Sequence, residues 1–159
     1  MKKRPSLLHR EIKQRRRLRS RGEEAVLALL KTADVLRRFH AGLLAPSGVT
    51  PQQYNVLRIL RGAEPDALPV LEIADRMIEK TPGITRLLDR LERKGLVTRQ
   101  RCPGDRRQVL CHIAPAGLAL LSGLDSAVEK ADRDFWKGLK ARDLANLVRL
   151  LEEVRRNRT

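Results

Sequence analysis

Apolar residues recur along the chain at two spacings, and the switches between them divide it into elements. From Glu23 onward, Val26, Leu29, Leu30, Ala33, Leu36, Phe39, His40 and Leu43 fall at steps of three and four, one face of a long helix. Pro46 and Gly48 end it. Thr50-Pro51 offers a hydroxyl cap and then a residue that needs no amide donor, so a helix starts there and carries Tyr54, Leu57 and Leu60 to about Arg61. Prolines and acids make 62–69 a loop. Two short helices follow: 70–77, burying Val70, Ile73, Ala74 and Met77, and 81–94, opened by Thr81-Pro82 and burying Ile84, Leu87, Leu88 and Leu91. Glu79-Lys80 makes the turn between them, and Gly95 caps the second. Residues 96–101 and 108–113 have strand character around the turn Pro103-Gly104-Asp105. After Pro115, Leu118, Leu121, Leu124 and Val128 mark a helix to about Leu139, and Leu144, Leu147, Val148, Leu151 and Val154 mark a last one starting near Asp143. At the N-terminus, residues 6–20 form a thinner basic helix, with Ser6 as its cap, Leu7, Leu8, Ile12 and Leu18 as its stripe, and Gly22 at its end. The fold class is mainly α with a small antiparallel β-wing: a winged helix-turn-helix between flanking helices.

Charge sharpens this picture. The 159 residues carry 34 Lys+Arg against 19 Asp+Glu, a net +15. Residues 1–22 hold a net +9 and residues 76–107 a net +6, while 23–75 and 108–159 hold −2 and +2. Two blocks therefore contain the whole excess, which points to a polyanion met by particular surfaces. At 3%, aromatic residues argue against a base-stacking RNA surface. The longest uncharged stretch, 39–57, is broken by Pro46, Gly48 and Pro51, so no membrane span is expected. Only Leu7-Leu8 follows the first basic residues, too short for a signal-peptide core, and a cytoplasmic protein is expected. Cys102 and Cys111 are too few for a disulfide scaffold, and no metal-type spacing joins them to His9, His40 or His112, so no metal or cofactor is expected. A redox role for Cys102, beside Arg99, Arg101, Arg106 and Arg107, carries less weight than that of a small, partly buried residue.

The second basic block has the chemistry of a DNA reader. With the apolar residues of 81–94 turned to the core, Pro82, Gly83, Thr85, Arg86, Arg90 and Arg93 project outward with Asp89 among them. Arginine can grip guanine at two atoms in the major groove, and threonine can meet a thymine methyl or a phosphate. The wing tip presents Arg106 and Arg107, suited to the backbone or a narrow minor groove. Asp105 has two readings: it orients a neighbouring guanidinium, or it builds the turn.

Three segments together resemble the MarR (multiple antibiotic resistance regulator) transcription factors: Thr50-Pro51-Gln52-Gln53-Tyr54 with Val56-Leu57, the run from Ile84 through Gly95-Leu96-Val97, and Asp105-Arg106-Arg107. The resemblance covers about residues 23–156. It implies a homodimer in which 23–48 and 115–159 form a shared helical dimerisation bundle and 49–114 is the winged helix-turn-helix, with 1–22 as a basic arm or extra helix. It implies double-stranded DNA with a pseudo-palindromic operator as partner, contacted through Thr81, Pro82, Gly83, Thr85, Arg86, Arg90, Asp105, Arg106 and Arg107. It further implies repression relieved by a small anionic or phenolic effector, for which Ala33, Leu36, Arg37, His40 and Tyr54 are the candidate lining, Arg37 as counter-charge. Residues 23–44 hold no cysteine, unlike the family's peroxide-sensing branch, and the only tryptophan, Trp136, is near the C-terminus. The competing reading is a sequence-independent nucleic-acid-binding or architectural protein on the same winged module. No Gly-rich phosphate loop, metal cluster or nucleophile with an adjacent base is present, so an enzyme is not expected.

Overall fold

The computed structural model describes residues 7–14, 16, 18–80, 82–105 and 107–157. The chain divides into two compact units, residues 1–118 and 119–159.

The first unit opens with α1 (Leu7–Glu11), anchored by the buried Leu8. The basic helix expected over 6–20 is thus cut to five residues. Lys13, at φ 51°, has left the helical region, and a run of like charges offers nothing to carry the helix past it. Gly22 does not end this helix but lies inside the next one, and the expected cap Ser6 falls outside the described residues. The working cap is Ser20, whose hydroxyl accepts from the Glu23 amide at 3.1 Å and starts α2 (Arg21–Leu44). α2 runs as expected but keeps half of its apolar stripe at the surface, with Val26, Leu29, Leu30 and Phe39 exposed.

After the 3-10 turn Ala45–Ser47, α3 (Pro51–Arg61) begins with a full capping box. The Thr50 hydroxyl accepts from the Gln53 amide and Gln53 Oε1 accepts from the Thr50 amide, which is why Gln53 is buried without cost. The segment expected as a loop contains a short strand, β1 (Leu68–Pro69), whose register places Leu68 opposite Cys111 and Pro69 opposite Leu110. Two residues flanked by turn formers carry no readable alternation, and the pairing partner lies some forty residues downstream. α4 (Val70–Arg76) follows directly, with Ile73 fully buried and Met77 just beyond it.

α5 (Ile84–Arg93) starts later than Thr81-Pro82 suggested. Gly83 takes φ +96°, a conformation a side chain would resist, and its carbonyl accepts the Leu87 amide that closes the first turn. At the other end the Gly95 amide reaches the Glu92 carbonyl and the Leu96 amide reaches Leu91, a Schellman closure that turns the chain into β2 (Val97–Arg101). β3 (Val109–Ile113) returns antiparallel, and the wing is a three-stranded sheet in the order β1-β3-β2 rather than a two-stranded one. Val56, Leu57, Leu60, Ile73, Leu88, Leu91, Val97 and Cys111 are fully buried and form the core between α3, α4, α5 and the sheet. α6 (Pro115–Phe135) begins hard against this base. A Cβ on Gly117 would overlap the Leu96 carbonyl oxygen and come within 2.8 Å of Ile113 Cγ1.

The second unit holds the rest of α6, with Leu121 and Leu124 buried, and α7 (Ala141–Arg156). The Phe135 and Trp136 rings meet edge to face at 5.0 Å where the chain leaves α6. Along α7, Val148, Leu150 and Val154 are exposed.

Candidate nucleic-acid interface

The outward side of α5 carries Thr85, Arg86, Arg90 and Arg93, all exposed, because Leu88 and Leu91 take the opposite side into the core. No acid and no side-chain cap occupies its first turn, so amides there remain open to an anion at the positive end of the helix dipole. Pro82 and Gly83 are exposed immediately before it, in the turn rather than on the helix, and Thr81 lies outside the described residues.

The turn between α4 and α5 is held from several sides. The Ile78 amide donates to Asn55 Oδ1 at 3.0 Å, Gln52 Nε2 to Glu79 Oε2 at 3.4 Å, and Arg37 Nη1 of α2 lies 3.7 Å from Glu79 Oε1. Lys80 Nζ binds Asp75 Oδ1 at 2.9 Å, and this hydrogen bond with its charge holds the Asp75 carboxyl below the ordinary carboxylate range. Lys94 Nζ at the far end of α5 donates to the Gly48 carbonyl.

In the wing tip, Asp105 builds the turn. Its Oδ1 accepts the Arg107 amide at 3.0 Å, its Oδ2 accepts Gln108 Nε2 at 3.1 Å, and its carbonyl accepts the Gln108 amide at 2.9 Å. Of the two readings for this residue, turn formation is the one these bonds express. Arg101 and Arg107 are exposed beside it, and Arg106 lies outside the described residues.

Arg99 behaves differently from its basic neighbours. Its Nε donates to Glu92 Oε2 at 2.9 Å and its Nη2 to the same oxygen at 2.5 Å, while Nη2 lies 2.7 Å from Asp89 Oδ1. Glu92 above all raises the Arg99 pKa, overcoming the cost of desolvation. Asp89 therefore pairs with the wing strand, and Arg93 meets only its backbone carbonyl, through Nε at 3.3 Å. Opposite Arg99 in the sheet sits Cys111, fully buried, whose thiol burial pushes up to about 11. Cys102 is half-buried at the end of the hairpin, its amide bonded to the Gln108 carbonyl.

The five effector candidates are less convergent. Ala33, Leu36, His40 and Tyr54 are half-buried, and Arg37 is exposed and faces Glu79. The His40 ring lies 5.9 Å from that of Phe39, and the Arg58 guanidinium lies 6.0 Å over Tyr54. Among the described residues, no group of three or more His, Cys, Asp or Glu is placed to hold a metal, and no helix is long and apolar enough to cross a membrane.

The sequence model of the MarR family matches residues 49–109, from the start of α3 to the return strand of the wing. A Thauera aromatica protein described as a transcriptional regulatory protein for the hcr operon is 32% identical over 123 residues, 76% of this chain and 71% of its own. The crystal structure of a MarR transcription factor from Planctomyces limnophilus aligns with a TM-score of 0.67 at 39% identity, covering 86% of this chain and 98% of that one. The chain belongs to the MarR family. The homoprotocatechuate degradative operon repressor of Escherichia coli is a further relative, 28% identical over 82% of this chain and 87% of its own. As a MarR-family protein it is a DNA-binding transcriptional regulator, and the family is one of transcription regulators rather than enzymes.

Sequence reasoning on this MarR-family chain missed the partner of Asp89 and considered Arg99 only as a neighbour of Cys102. One signal was available: Asp89 and Glu92 are two acids three residues apart on an otherwise basic helix, and such a pair asks for a cation from outside the helix.

Proposed function

We propose that this regulator is a homodimeric, sequence-specific repressor acting in the cytoplasm, in which 23–48 and 115–159 build the dimer and 49–114 reads the operator. α5 enters the major groove with Thr85, Arg86 and Arg90, its approach lined by Thr81, Pro82 and Gly83. The wing lays Arg106 and Arg107 along the flanking minor groove, on a turn shaped by Asp105. Two copies meet the two halves of a pseudo-palindromic site.

One observation carries this reading. Within 76–107, Arg76, Lys80 and Arg99 are matched to carboxylates, whereas Arg86, Arg90, Arg101 and Arg107 have no carboxylate partner among the described residues. Apart from Lys94, which bonds the Gly48 carbonyl, the described cations of this block without a carboxylate lie on the outer face of α5 and on the wing. A surface shaped only for solubility has no reason to sort its charges so. The relatives' names, each tied to one operon, favour this reading over a sequence-independent binder.

Derepression by a small anionic or phenolic effector belongs to the same reading. The operon of one relative is named for homoprotocatechuate, a catechol bearing a carboxylate, which has both features. Arg37 supplies the counter-charge for such an anion, and Ala33, Leu36, His40 and Tyr54 are the candidate lining.

Arg107→Ala tests the wing. Operator affinity falls about tenfold, the slope of log K against log salt drops by about one, and the dimer persists. Unchanged affinity and slope would contradict the assignment.

A further inference from the structure

Arg99 lies in the middle of β2, and its side chain is 22% exposed. Its guanidinium reaches across to α5 and holds Asp89 and Glu92 together. At about 100° per residue, Asp89 and Glu92 lie on one flank of α5, and Arg86, Arg90 and Arg93 lie on the adjoining stripe. Whatever fixes the first flank fixes the direction of the second. The core contacts of Leu88 and Leu91 hold the depth of the helix, but apolar packing alone tolerates a small roll. A forked, charge-assisted contact to two carboxylates does not.

The same contact has an electrostatic side. Asp89 and Glu92 would otherwise stand as two bare carboxylates on a helix that faces phosphates, and Arg99 halves their net charge. Committed in this way and mostly shielded, Arg99 is a poor candidate for a phosphate contact of its own.

We propose that Arg99 is a positioning residue for DNA recognition: by tying Asp89 and Glu92 of α5 to β2, it sets the roll of the recognition helix against the wing and so decides which base edges Thr85, Arg86 and Arg90 reach. This inference rests on the placement of α5 in the major groove. Its signature is a loss of discrimination between sequences rather than a loss of general affinity, because base contacts demand an orientation that phosphate contacts do not.

The test uses a duplex selected by the wild-type protein from a randomised pool, a scrambled duplex of the same composition, and titrations at several salt concentrations. Arg99→Met combined with Asp89→Asn and Glu92→Gln removes the brace without leaving bare carboxylates. The expected result is a folded dimer that binds the scrambled duplex within about twofold of wild type, with the same salt slope, and loses about tenfold in preference for the selected one. Arg99→Lys, which keeps the charge but has no fork, serves if the triple variant does not fold. It should lose several-fold in preference, with the scrambled duplex again unaffected. A preference equal to wild type in the folded triple variant, or in Arg99→Lys if the triple variant does not fold, overturns the proposal. Arg86→Ala and Arg107→Ala run in parallel: if neither weakens operator binding, the placement of α5 and the wing has failed, whereas if both do and the brace variants discriminate normally, only the role of Arg99 has failed.

Discussion

In the winged module, Val56, Leu57, Ile73, Leu88 and Leu91 lose all contact with solvent. On α2 and α7, Val26, Leu30, Val148 and Val154 sit at the same helical spacing yet keep 57%, 59%, 54% and 56% of their surface exposed. The two sets look alike in the sequence. They differ in that the first finds its complement within the same unit, from two other helices and a sheet, while the second stays exposed among the described residues. A hydrophobic stripe says that a face has to be covered; it does not say by what. On the dimeric reading proposed above, the stripes left open on the long helices would form the seam between copies, and the closed module would be the part each copy builds alone.

The sharpest way to break this contrast is to charge the open stripe. Val26→Glu with Leu30→Glu should convert the protein to a folded monomer by sedimentation and cut operator affinity by a hundredfold or more, roughly the gain from tethering a second half-site. A dimer persisting at micromolar concentration would show that the seam lies elsewhere. Next in size is the closed stripe: Leu88→Ala leaves a cavity between α5 and the sheet and should cost about 2–5 kcal/mol in urea unfolding. A loss under about 1 kcal/mol would mean that this core is less tightly closed than its burial indicates. The smallest effect concerns Cys111. Its thiol is raised by burial to about 11, so the folded state holds this proton after the unfolded chain has released it. Stability from this source is complete below about pH 9 and is lost as pH rises toward 11, by at most about 2–3 kcal/mol. Other groups titrate in that window, so the measurement is the difference between wild type and Cys111→Ala, which should lose less. Identical pH profiles would remove Cys111 from the account.

Much of the closed module could be read from residues with local roles. Thr50-Pro51 with Gln53 encodes a helix start within four positions, Gly95 ends α5, and Asp105 folds its own turn. These signals act over one turn of chain and need no tertiary partner. What escaped was non-local or depended on a competing local signal. β1 exists because Leu68 and Pro69 find Cys111 and Leu110, a pairing invisible in two residues. Thr81-Pro82 imitates a helix start, but Gly83 at positive φ moves the start to Ile84. Ser20 caps α2, which has Glu23 and Glu24 in its first turn, whereas the basic run before it sustains only the five residues of α1 among those described. In the interface itself, the outward row on α5 followed from periodicity, and the separation of committed from uncommitted arginines required the wing to be set beside the helix.

The two glycines of α6 show how unevenly a sequence spends its choices. At Gly123 an added methyl group would meet nothing within 4 Å of this chain. At Gly117 it would strike the Leu96 carbonyl, the same oxygen that accepts the Ala114 amide where the wing ends and the helix begins. Within the chain one position leaves room for a Cβ and the other does not, six residues apart in one helix. The joint at the foot of the wing is therefore written by the absence of a side chain, in a code that neither hydrophobic pattern nor charge can express.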